Sequence, residues 1–249
     1  MKISFCTIIL NEEENIKELI NNIKDIADEI IIIDSGSKDR GVDIAKSMGA
    51  KTFFNEWTDY TTQKNFAISK AENEWVFVLD ADERLSEELK ENIKKTKEKG
   101  TNKDGFLIAR KSFYLGKWIK HSGWYPERRI RFFKKSKGKF YGRFVHEGLS
   151  FKGESEILKG DILHFSYKNI SDHIDRINKY SLLAAKRKKE EGKRFSFLKL
   201  VFSPITRFIT HYFIRLGFMD GFQGILIAVF SAFYVFLREV KLREITRND

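Results

Sequence analysis

The chain has 249 residues, with 46 Lys and Arg against 35 Asp and Glu, and a formal net charge of +11. This length suits one large α/β domain, or one domain with an accessory segment. Because 42% of the residues are apolar and 14% are aromatic, a disordered chain is excluded. The single cysteine, Cys6, lies in an apolar run, which excludes a disulfide framework and predicts a buried thiol.

The positive charge is concentrated in the second part of the chain. Residues 1–100 carry 15 basic and 21 acidic side chains, whereas residues 101–249 carry 31 basic and 14 acidic ones. A basic region of this kind is typical of proteins with an anionic partner, which can be nucleic acid, a phosphorylated substrate or an anionic membrane face. Composition alone does not distinguish between these three kinds of partner.

The first hundred residues alternate short apolar runs with segments of helical periodicity. Strands are predicted at 3–10, 29–34, 51–54 and 75–80, and helices at 12–25, 40–48, 59–73 and 86–99. This alternation indicates an α/β fold, with a mostly parallel central sheet and helices on both faces. The ligand crevice of such a sheet lies beyond the carboxyl ends of its strands, which directs attention to residues 10–11, 34–35 and 80–82. The first apolar run is too short for an export signal and lacks a cleavage site.

Residues 104–165 differ in character from the first hundred. Short apolar runs between glycines and basic loops indicate antiparallel strands there. A long helix is predicted at about 170–191, and a Phe-rich, mostly apolar segment follows at 195–243. A domain boundary is therefore predicted near 192–196.

Two carboxylates at the end of a predicted strand are the strongest chemical signal. Asp80 and Asp82 are spaced i, i+2, so both can approach one hard divalent cation where the backbone bends out of the strand. The alternative is an acidic turn that leads into the helix beginning near Ser86. The position at a parallel-strand end favours the cation site.

Two other segments have weaker local signals. Asp34 is the last residue of another predicted strand and can accept a hydrogen bond from a uracil ring, and the neighbouring small Ser35 lets a ligand lie against the backbone. A simple turn with helix capping by Ser37 and Asp39 explains the same residues. Lys64, inside a predicted helix, can reach a diphosphate as a point charge, although a lone helical lysine is usually solvated.

Taken in order, four segments resemble one family, the family-2 inverting glycosyltransferases of the GT-A fold. They are residues 10–15, 34–39, 64–67 and 80–83. Three later segments resemble more specifically the bacterial branch that includes lipopolysaccharide-core β-glucosyltransferases. They are residues 121–126, 128–135 and 145–149. The resemblance covers roughly residues 3–190.

The resemblance implies roles for individual residues. Asp34 would hold the nucleobase of a UDP-sugar, and Lys64 would lie near its diphosphate. Asp82 would ligate Mg²⁺ or Mn²⁺, with Asp80 beside the ribose or the metal. The proline and aromatic residue that commonly follow the first strand in this family are absent, since the chain reads Ile-Leu-Asn-Glu at 9–12. The donor contacts expected around Asn11 are therefore left open.

The reaction needs a base and stabilisation of the leaving diphosphate. We select Glu147 as the base, with a surface glutamate in a hairpin turn as the alternative. His164 is proposed as a further metal ligand, and His146 is a weaker candidate; a histidine flanked by apolar residues is otherwise a core residue. Arg128 and Arg131 can clamp phosphates of the donor or of a phosphorylated acceptor. The alternatives are a solvated strand face and a nucleic-acid patch.

The C-terminal segment carries two predicted helices. Residues 195–219 place Lys199, Arg207, His211 and Arg215 along one stripe of an apolar background, which suits an anionic membrane interface. Residues 221–237 are uncharged and at the lower limit of a spanning helix. We favour two interfacial or re-entrant helices; a true span and a soluble helical hairpin are the alternatives.

Together these interpretations predict a metal-dependent inverting hexosyltransferase that uses a UDP-sugar and a lipid-linked or lipopolysaccharide-core acceptor. Residues 1–192 would form the GT-A domain, with a nucleotide-sugar half at 1–100 and an acceptor half at 101–192. Residues 193–249 would associate with the membrane, which places the protein in the cytoplasm, peripheral or monotopic on the inner face of the cell membrane. No nucleic-acid partner is expected. The rivals are a transferase with a soluble or peptide acceptor, a membrane scaffold without turnover and an RNA-binding protein.

Overall fold

A computed structural model of the chain describes residues 1–142 and 148–247. The chain forms two compact units. The first comprises Met1–Arg110 and Arg128–His164, and the second comprises Lys111–Glu127 and the residues from Phe165 onward. The long helix after His164 packs against the C-terminal helix within the second unit. The domain boundary predicted near 192–196 stays a prediction.

The first unit begins with strand–helix repeats, as predicted. Its strands are β1 (Ile3–Ile9), β2 (Glu29–Asp34), β3 (Lys51–Phe54), β4 (Trp75–Val78) and the short β5 (Glu83–Leu85), and its helices are α1 (Glu13–Ile23), α2 (Gly41–Ser47), α3 (Tyr60–Lys70) and α4 (Glu87–Lys99). Strands β3, β2, β1 and β4 are adjacent and parallel. Each predicted element of this region is confirmed to within a few residues.

The remaining strands are β6 (Gly105–Tyr114), β7 (Lys117–Trp118), β8 (Glu127–Lys134), β9 (Gly138–Tyr141), β10 (Gly148–Phe151) and β11 (Ser155–His164). From β4 the sheet continues through β8, β6 and β11 to β5. Strand β8 is antiparallel to β4, and β5 is antiparallel to β11. Strands β9 and β10 form a separate antiparallel pair. The α/β fold class and the antiparallel character of residues 104–165 are both confirmed.

The sheet of the first unit has a core layer on each face, because successive side chains of a strand point to opposite sides. From β1, Ile3 and Phe5 pack in one layer with α1 and α4. Cys6 packs in the other layer with Ala67 and Ile68 of α3. Cys6 is fully buried, as predicted, and burial raises the pKa of its thiol.

The second unit is built mainly from three helices, α5 (Ile170–Glu190), α6 (Phe197–Ile209) and α7 (Phe222–Arg247). Both α5 and α6 pack against α7. A buried hydrogen bond of 2.8 Å joins the Tyr114 hydroxyl to His173 Nδ1 of α5. Burial lowers the pKa of His173 to about 4 and raises that of Tyr114. His173 is therefore held neutral.

The predicted C-terminal helices are present, with different limits from those expected. After α6 the chain makes a π-helical turn at 210–214, and the left-handed backbone of Leu216 then helps to reverse its direction. His211 is buried in this turn, so it does not belong to an exposed basic stripe. Within residues 1–142 and 148–247, no helix combines the length and the apolar character needed to cross a membrane.

Candidate active site

Three strands of the first unit bring the predicted site residues to one edge of the sheet. In the parallel register, Ile9 of β1 lies beside Asp34 of β2, and Cys6 of β1 lies beside Val78 of β4. The residues just past these strands, Asn11 and Asp80, therefore leave the sheet at the same edge as Asp34. This is where an α/β sheet binds its ligands.

The loop after β2 is fixed by its own polar groups. The Asp34 carboxylate accepts hydrogen bonds from the Gly36 and Ser37 backbone N–H groups at 3.2 and 3.0 Å. Ser37 Oγ accepts from the Asn11 N–H at 2.9 Å, and Asn11 Oδ1 accepts from the Lys38 N–H at 2.8 Å. Asn11 and Asp34 thus belong to one prearranged loop pair. Hydrogen bonds among the loop's own groups set its conformation.

Asp80 sits between two cations. Its Oδ1 lies 3.1 Å from Lys64 Nζ and its Oδ2 lies 3.3 Å from Arg131 Nη2. Burial by itself would raise the pKa of Asp80, but the charges of Lys64 and Arg131 outweigh it and hold the pKa well below its usual range. Lys64 is only 2% exposed, so it is part of this cluster rather than a solvated helical lysine.

Glu83 is a buried member of the same cluster. It was not predicted as a site residue. Its side chain is fully buried, and its Oε2 accepts from the Asp80 backbone N–H at 2.9 Å. Its Oε1 lies 3.5 Å from Arg131 Nη2 and 4.0 Å from Arg110 Nη1. Glu83 therefore ties the turn that carries Asp80 and Asp82 to two strands of the sheet. The signal for Glu83 was its place in the Asp-Ala-Asp-Glu motif, whereas Arg110 stood out only as one of many basic residues.

Asp82 and His164 form the second half of the site. His164 Nε2 lies 3.4 Å from Asp82 Oδ2. The antiparallel register explains this contact, because His164 at the end of β11 pairs with Glu83, the residue next to Asp82. His164 is partly buried, and its Nδ1 is a buried atom without a hydrogen-bond partner in the described part of the chain.

The donor atoms of Asp82 and His164 fit a divalent cation. Two adjacent ligands of a small divalent cation lie about 3 Å apart, since each bond is about 2.1 Å long. The third predicted ligand, Asp80, has both oxygens in ion pairs with Lys64 and Arg131. No set of three or more His, Cys, Asp or Glu side chains in residues 1–142 and 148–247 has the arrangement of a cation site. Asp82 and His164 are thus the side chains here that could hold a cation, if the cation also takes water or phosphate oxygens.

The sequence of residues 4–152 matches the profile of the family described as Glycosyl transferase family 2. The match covers more than half of the chain. The chain belongs to glycosyl transferase family 2. Membership agrees with the order of the sheet, in which a parallel half precedes an antiparallel half, and with the GT-A fold implied by the motifs.

Bacterial relatives of this family 2 glycosyltransferase align over nearly its whole length. It is 34% identical to an uncharacterized glycosyltransferase of Rickettsia typhi, over 98% of this chain and 88% of that protein. It is 31% identical to the lipopolysaccharide core biosynthesis glycosyltransferase LpsC of Rhizobium meliloti, over 97% of this chain and 92% of LpsC.

Solved structures are more distant from this chain. Glucosyl-3-phosphoglycerate synthase from Mycobacterium tuberculosis, solved with Mn²⁺, UDP and glucosyl-3-phosphoglycerate, is 23% identical, with a TM-score of 0.37. The alignment covers 46% of this chain and 44% of that chain. The likeness is therefore partial.

The other predicted residues of the family 2 glycosyltransferase are placed as follows. Arg128 is exposed on β8, whereas Arg131 is buried against Asp80 and Glu83, so the two arginines do not present one phosphate clamp to solvent. Ser35 is buried, and its hydroxyl has no partner among the residues that the structure describes. Glu147 and His146 lie outside the described residues.

Two aromatic residues of the basic segment 128–135 bear on the RNA-binding alternative. Phe132 and Phe133 are fully buried in the core layers on either face of the sheet. Bases that bind RNA-recognition surfaces stack on exposed aromatic rings. These two rings do not supply such a platform.

Proposed function

We propose that this family 2 glycosyltransferase transfers a hexose from a UDP-sugar to a lipid-linked or lipopolysaccharide-core acceptor, with inversion at the anomeric carbon and with Mg²⁺ or Mn²⁺ as cofactor. The observation that carries the proposal is the pairing of Asp82 with His164 next to the Asp80 cluster. Both lie at the edge of the sheet where the donor would bind.

The donor would be held by residues from three strand ends. Asp34, already oriented by Gly36 and Ser37, would accept from the nucleobase, and Asn11 would border the same loop. Ser35 leaves room for the ligand against the backbone. Asp80, kept ionised by its two cations, would accept from the ribose hydroxyls.

The charges around the leaving group are arranged in advance. Lys64 pairs with Asp80, Arg131 with both Asp80 and Glu83, and Arg110 lies 4.0 Å from Glu83, so these ion pairs fix the geometry of the cluster. A divalent cation held by Asp82 and His164 would neutralise the charge that develops on the departing diphosphate. Arg128 is exposed on β8 and would contact the phosphates of the donor.

The acceptor hydroxyl must lose its proton as it attacks the anomeric carbon. We assign this step to Glu147, on the motif at 145–149 that resembles the lipopolysaccharide-core branch. Attack from the face opposite the departing UDP inverts the configuration at that carbon.

The acceptor class and the cellular location rest on two supports. LpsC, which aligns with almost the whole chain, is by its name a lipopolysaccharide core biosynthesis enzyme. The second unit exposes many large apolar side chains along α6 and α7, which suits a surface that rests on lipid. We therefore place the reaction at the cytoplasmic face of the membrane, with the protein peripheral or monotopic.

The test is UDP release from a panel of UDP-hexoses by the full chain with Mn²⁺ or Mg²⁺. Wild type is expected to turn over at least one donor, and chelation with EDTA is expected to stop the reaction. Asp82→Asn is expected to lower kcat by about a thousandfold or more with an unchanged Tm. The matched control is Asp43→Asn, which changes an exposed aspartate of α2. Unchanged turnover in Asp82→Asn would refute the metal assignment, and donor binding without any release would favour the scaffold alternative.

A further inference from the structure

Strand β3 of the first unit ends in an exposed aromatic side chain. Phe54 is the last residue of β3, and its side chain is 66% exposed. A single exposed apolar residue is common on protein surfaces and needs no explanation by itself. Its neighbours therefore decide whether this ring has a use.

The preceding ring, Phe53, is an ordinary packed strand residue. It packs against the core layer that contains part of α3, and Lys70 Nζ lies 5.3 Å from its ring centre. Because successive side chains of a strand alternate in direction, Phe54 points to the opposite face. Phe54 belongs to neither core layer of residues 1–142 and 148–247. Its ring is therefore open to a ligand.

Phe54 shares its face of the sheet with Asp34. The two residues are partners in the parallel register of β2 and β3, and partners on neighbouring strands point to the same face. The Asn55 backbone N–H donates to the Asp34 carbonyl oxygen at 2.9 Å, so the pairing continues to the ends of both strands. Neighbouring strands lie about 4.8 Å apart. The carboxylate and the ring therefore leave the sheet side by side.

The loop after β2 passes close to the same ring. Phe54 Cε2 lies 4.0 Å from the position that a Cβ atom of Gly36 would take. The φ of Gly36 is +103°, in the left-handed region that glycine adopts at little cost. Residue 36 thus allows the close approach and adds no side chain that would cover the ring.

The other parallel strands supply no aromatic side chain at this edge. The residues that follow β1, β2 and β4 are not aromatic; they are residues 10–12, 35–37 and 79–82. Trp57 and Tyr60, further along the chain from Phe54, contact each other edge to face with ring centres 4.8 Å apart. Phe54 is therefore the ring that adjoins Asp34.

A carboxylate beside an aromatic ring matches the two surfaces of a uracil base. The polar edge of uracil carries an N–H donor. The oxygens of Asp34 each accept one loop N–H and keep a lone pair for it. The flat faces of a base stack on aromatic side chains, which is a main source of affinity when proteins bind unpaired bases.

We propose that Phe54 is the platform on which the uracil of the donor stacks, while Asp34 accepts from the edge of the same base. This rests on the UDP-sugar donor of the proposed function and adds the side chain that binds the face of the base. Stacking tolerates every base, so Phe54 supplies affinity, and Asp34 favours a base with a ring N–H donor.

The experiment measures the Kd of UDP for the full chain with Mg²⁺ by isothermal titration calorimetry. Phe54→Leu keeps an apolar side chain but removes the ring, so it is expected to weaken UDP binding about tenfold. Phe54→Tyr keeps a ring that stacks and is expected to bind within about threefold of wild type. The matched control is Phe213→Leu, at a phenylalanine that is 55% exposed in the turn after α6, with an effect below about twofold. An unchanged Tm for each variant verifies the fold.

Nuclear magnetic resonance of bound UDP separates stacking from a general change at the site. Protons that lie over the face of an aromatic ring resonate upfield. The uracil H5 and H6 signals are therefore expected to move upfield on binding to wild type and to Phe54→Tyr. The shift is expected to be lost with Phe54→Leu.

The contrary outcomes distinguish the platform from the donor. Equal UDP affinity of wild type and Phe54→Leu, or UDP bound to wild type without the upfield shift, would overturn the platform and leave the UDP-sugar donor in place. A loss of affinity that Phe54→Tyr shares in full would also overturn it, because a packing role explains that result. Wild type that does not bind UDP at all would refute the UDP-sugar donor, and the platform with it.

Discussion

The first unit buries charged side chains around Asp80, whereas the second unit exposes large apolar side chains along α6 and α7. Both depart from the usual distribution, in which charges stay in water and large apolar groups are covered. Around Asp80 the departure is compensated by ion pairs from Lys64 and Arg131. Along α6 and α7 no described residue covers the apolar groups.

The two regions therefore differ in how far each depends on a partner. The charged cluster is held together by its own ion pairs, whereas Asp82 and His164 lie beside it and are the residues proposed to hold the cation. The helical surface, in contrast, is incomplete without something apolar against it. A substitution in the first region should therefore affect folding and chemistry, and one in the second should affect association only.

The largest effect is expected from Arg131→Met in the charged cluster. The change leaves Asp80 and the buried Glu83 with one cation fewer each. Removing one partner of a buried ion pair strands the other charge, so the free energy of unfolding should fall by about 3 kcal/mol. Urea denaturation followed by circular dichroism measures it. Arg128→Met, at an exposed position of the same strand, should change it by less than about 0.5 kcal/mol; equal losses would mean that the cluster is not held by its ion pairs.

An intermediate effect is expected from pH in the second unit. His173 has a pKa of about 4 in the folded chain against 6.5 ordinarily, so below pH 6.5 the unfolded chain takes up a proton that the native chain does not. The free energy of unfolding should fall as the pH drops from 6.5 towards 4, by about 2 kcal/mol between pH 7.5 and pH 5. It should level off below the folded-state pKa of about 4.

The matched variant for this pH dependence is His173→Gln, which removes the titrating group. Urea denaturation at pH 7.5 and pH 5 should show a loss in wild type that is about 2 kcal/mol larger than in the variant. The same loss in both proteins would show that other groups cause it. In that case the burial of neutral His173 would not account for the pH dependence of the free energy of unfolding.

The smallest effect on folding is expected from the exposed face of α6. The double substitution Phe197→Ser with Phe202→Ser removes two rings that are 68% and 56% exposed, so the free energy of unfolding should change by less than about 0.5 kcal/mol. Phe106→Ala, at a buried ring of the first unit, should cost about 3 kcal/mol or more. Vesicle binding by the double variant should fall several-fold. A folding cost as large as that of Phe106→Ala would show that α6 is covered in solution, for example by a second copy.

Much of the fold was predictable because its signals are local. Apolar runs and helical periodicity define the first four strands and their helices, and parallel order then brings Asp34 and Asp80 to one edge. The packing of α5 and α6 against α7 has no such local signal, because it depends on contacts between segments that are distant in the sequence.

The site was predictable in its motifs and less so in its contacts. A lysine on a helix gives no local sign of burial, so the role of Lys64 as a partner of Asp80 follows only from the resemblance or from the structure. The contact of His164 with Asp82 depends on the antiparallel register of β11 and β5, which no single segment encodes. Arg110 was missed for the same reason, whereas Glu83 stood in the Asp-Ala-Asp-Glu motif, of which only the aspartates were considered.

The most direct test of the metal-dependent transferase is the binding of Mn²⁺ by the full chain in the presence of UDP, measured from the electron paramagnetic resonance signal of free Mn²⁺. If Asp82 and His164 share one cation, wild type will bind one Mn²⁺ per chain, and Asp82→Asn and His164→Gln will each weaken binding by about tenfold or more, while Asp43→Asn will bind as wild type does. Wild-type affinity for Mn²⁺ in both Asp82→Asn and His164→Gln would contradict the assignment of this pair as the cation site.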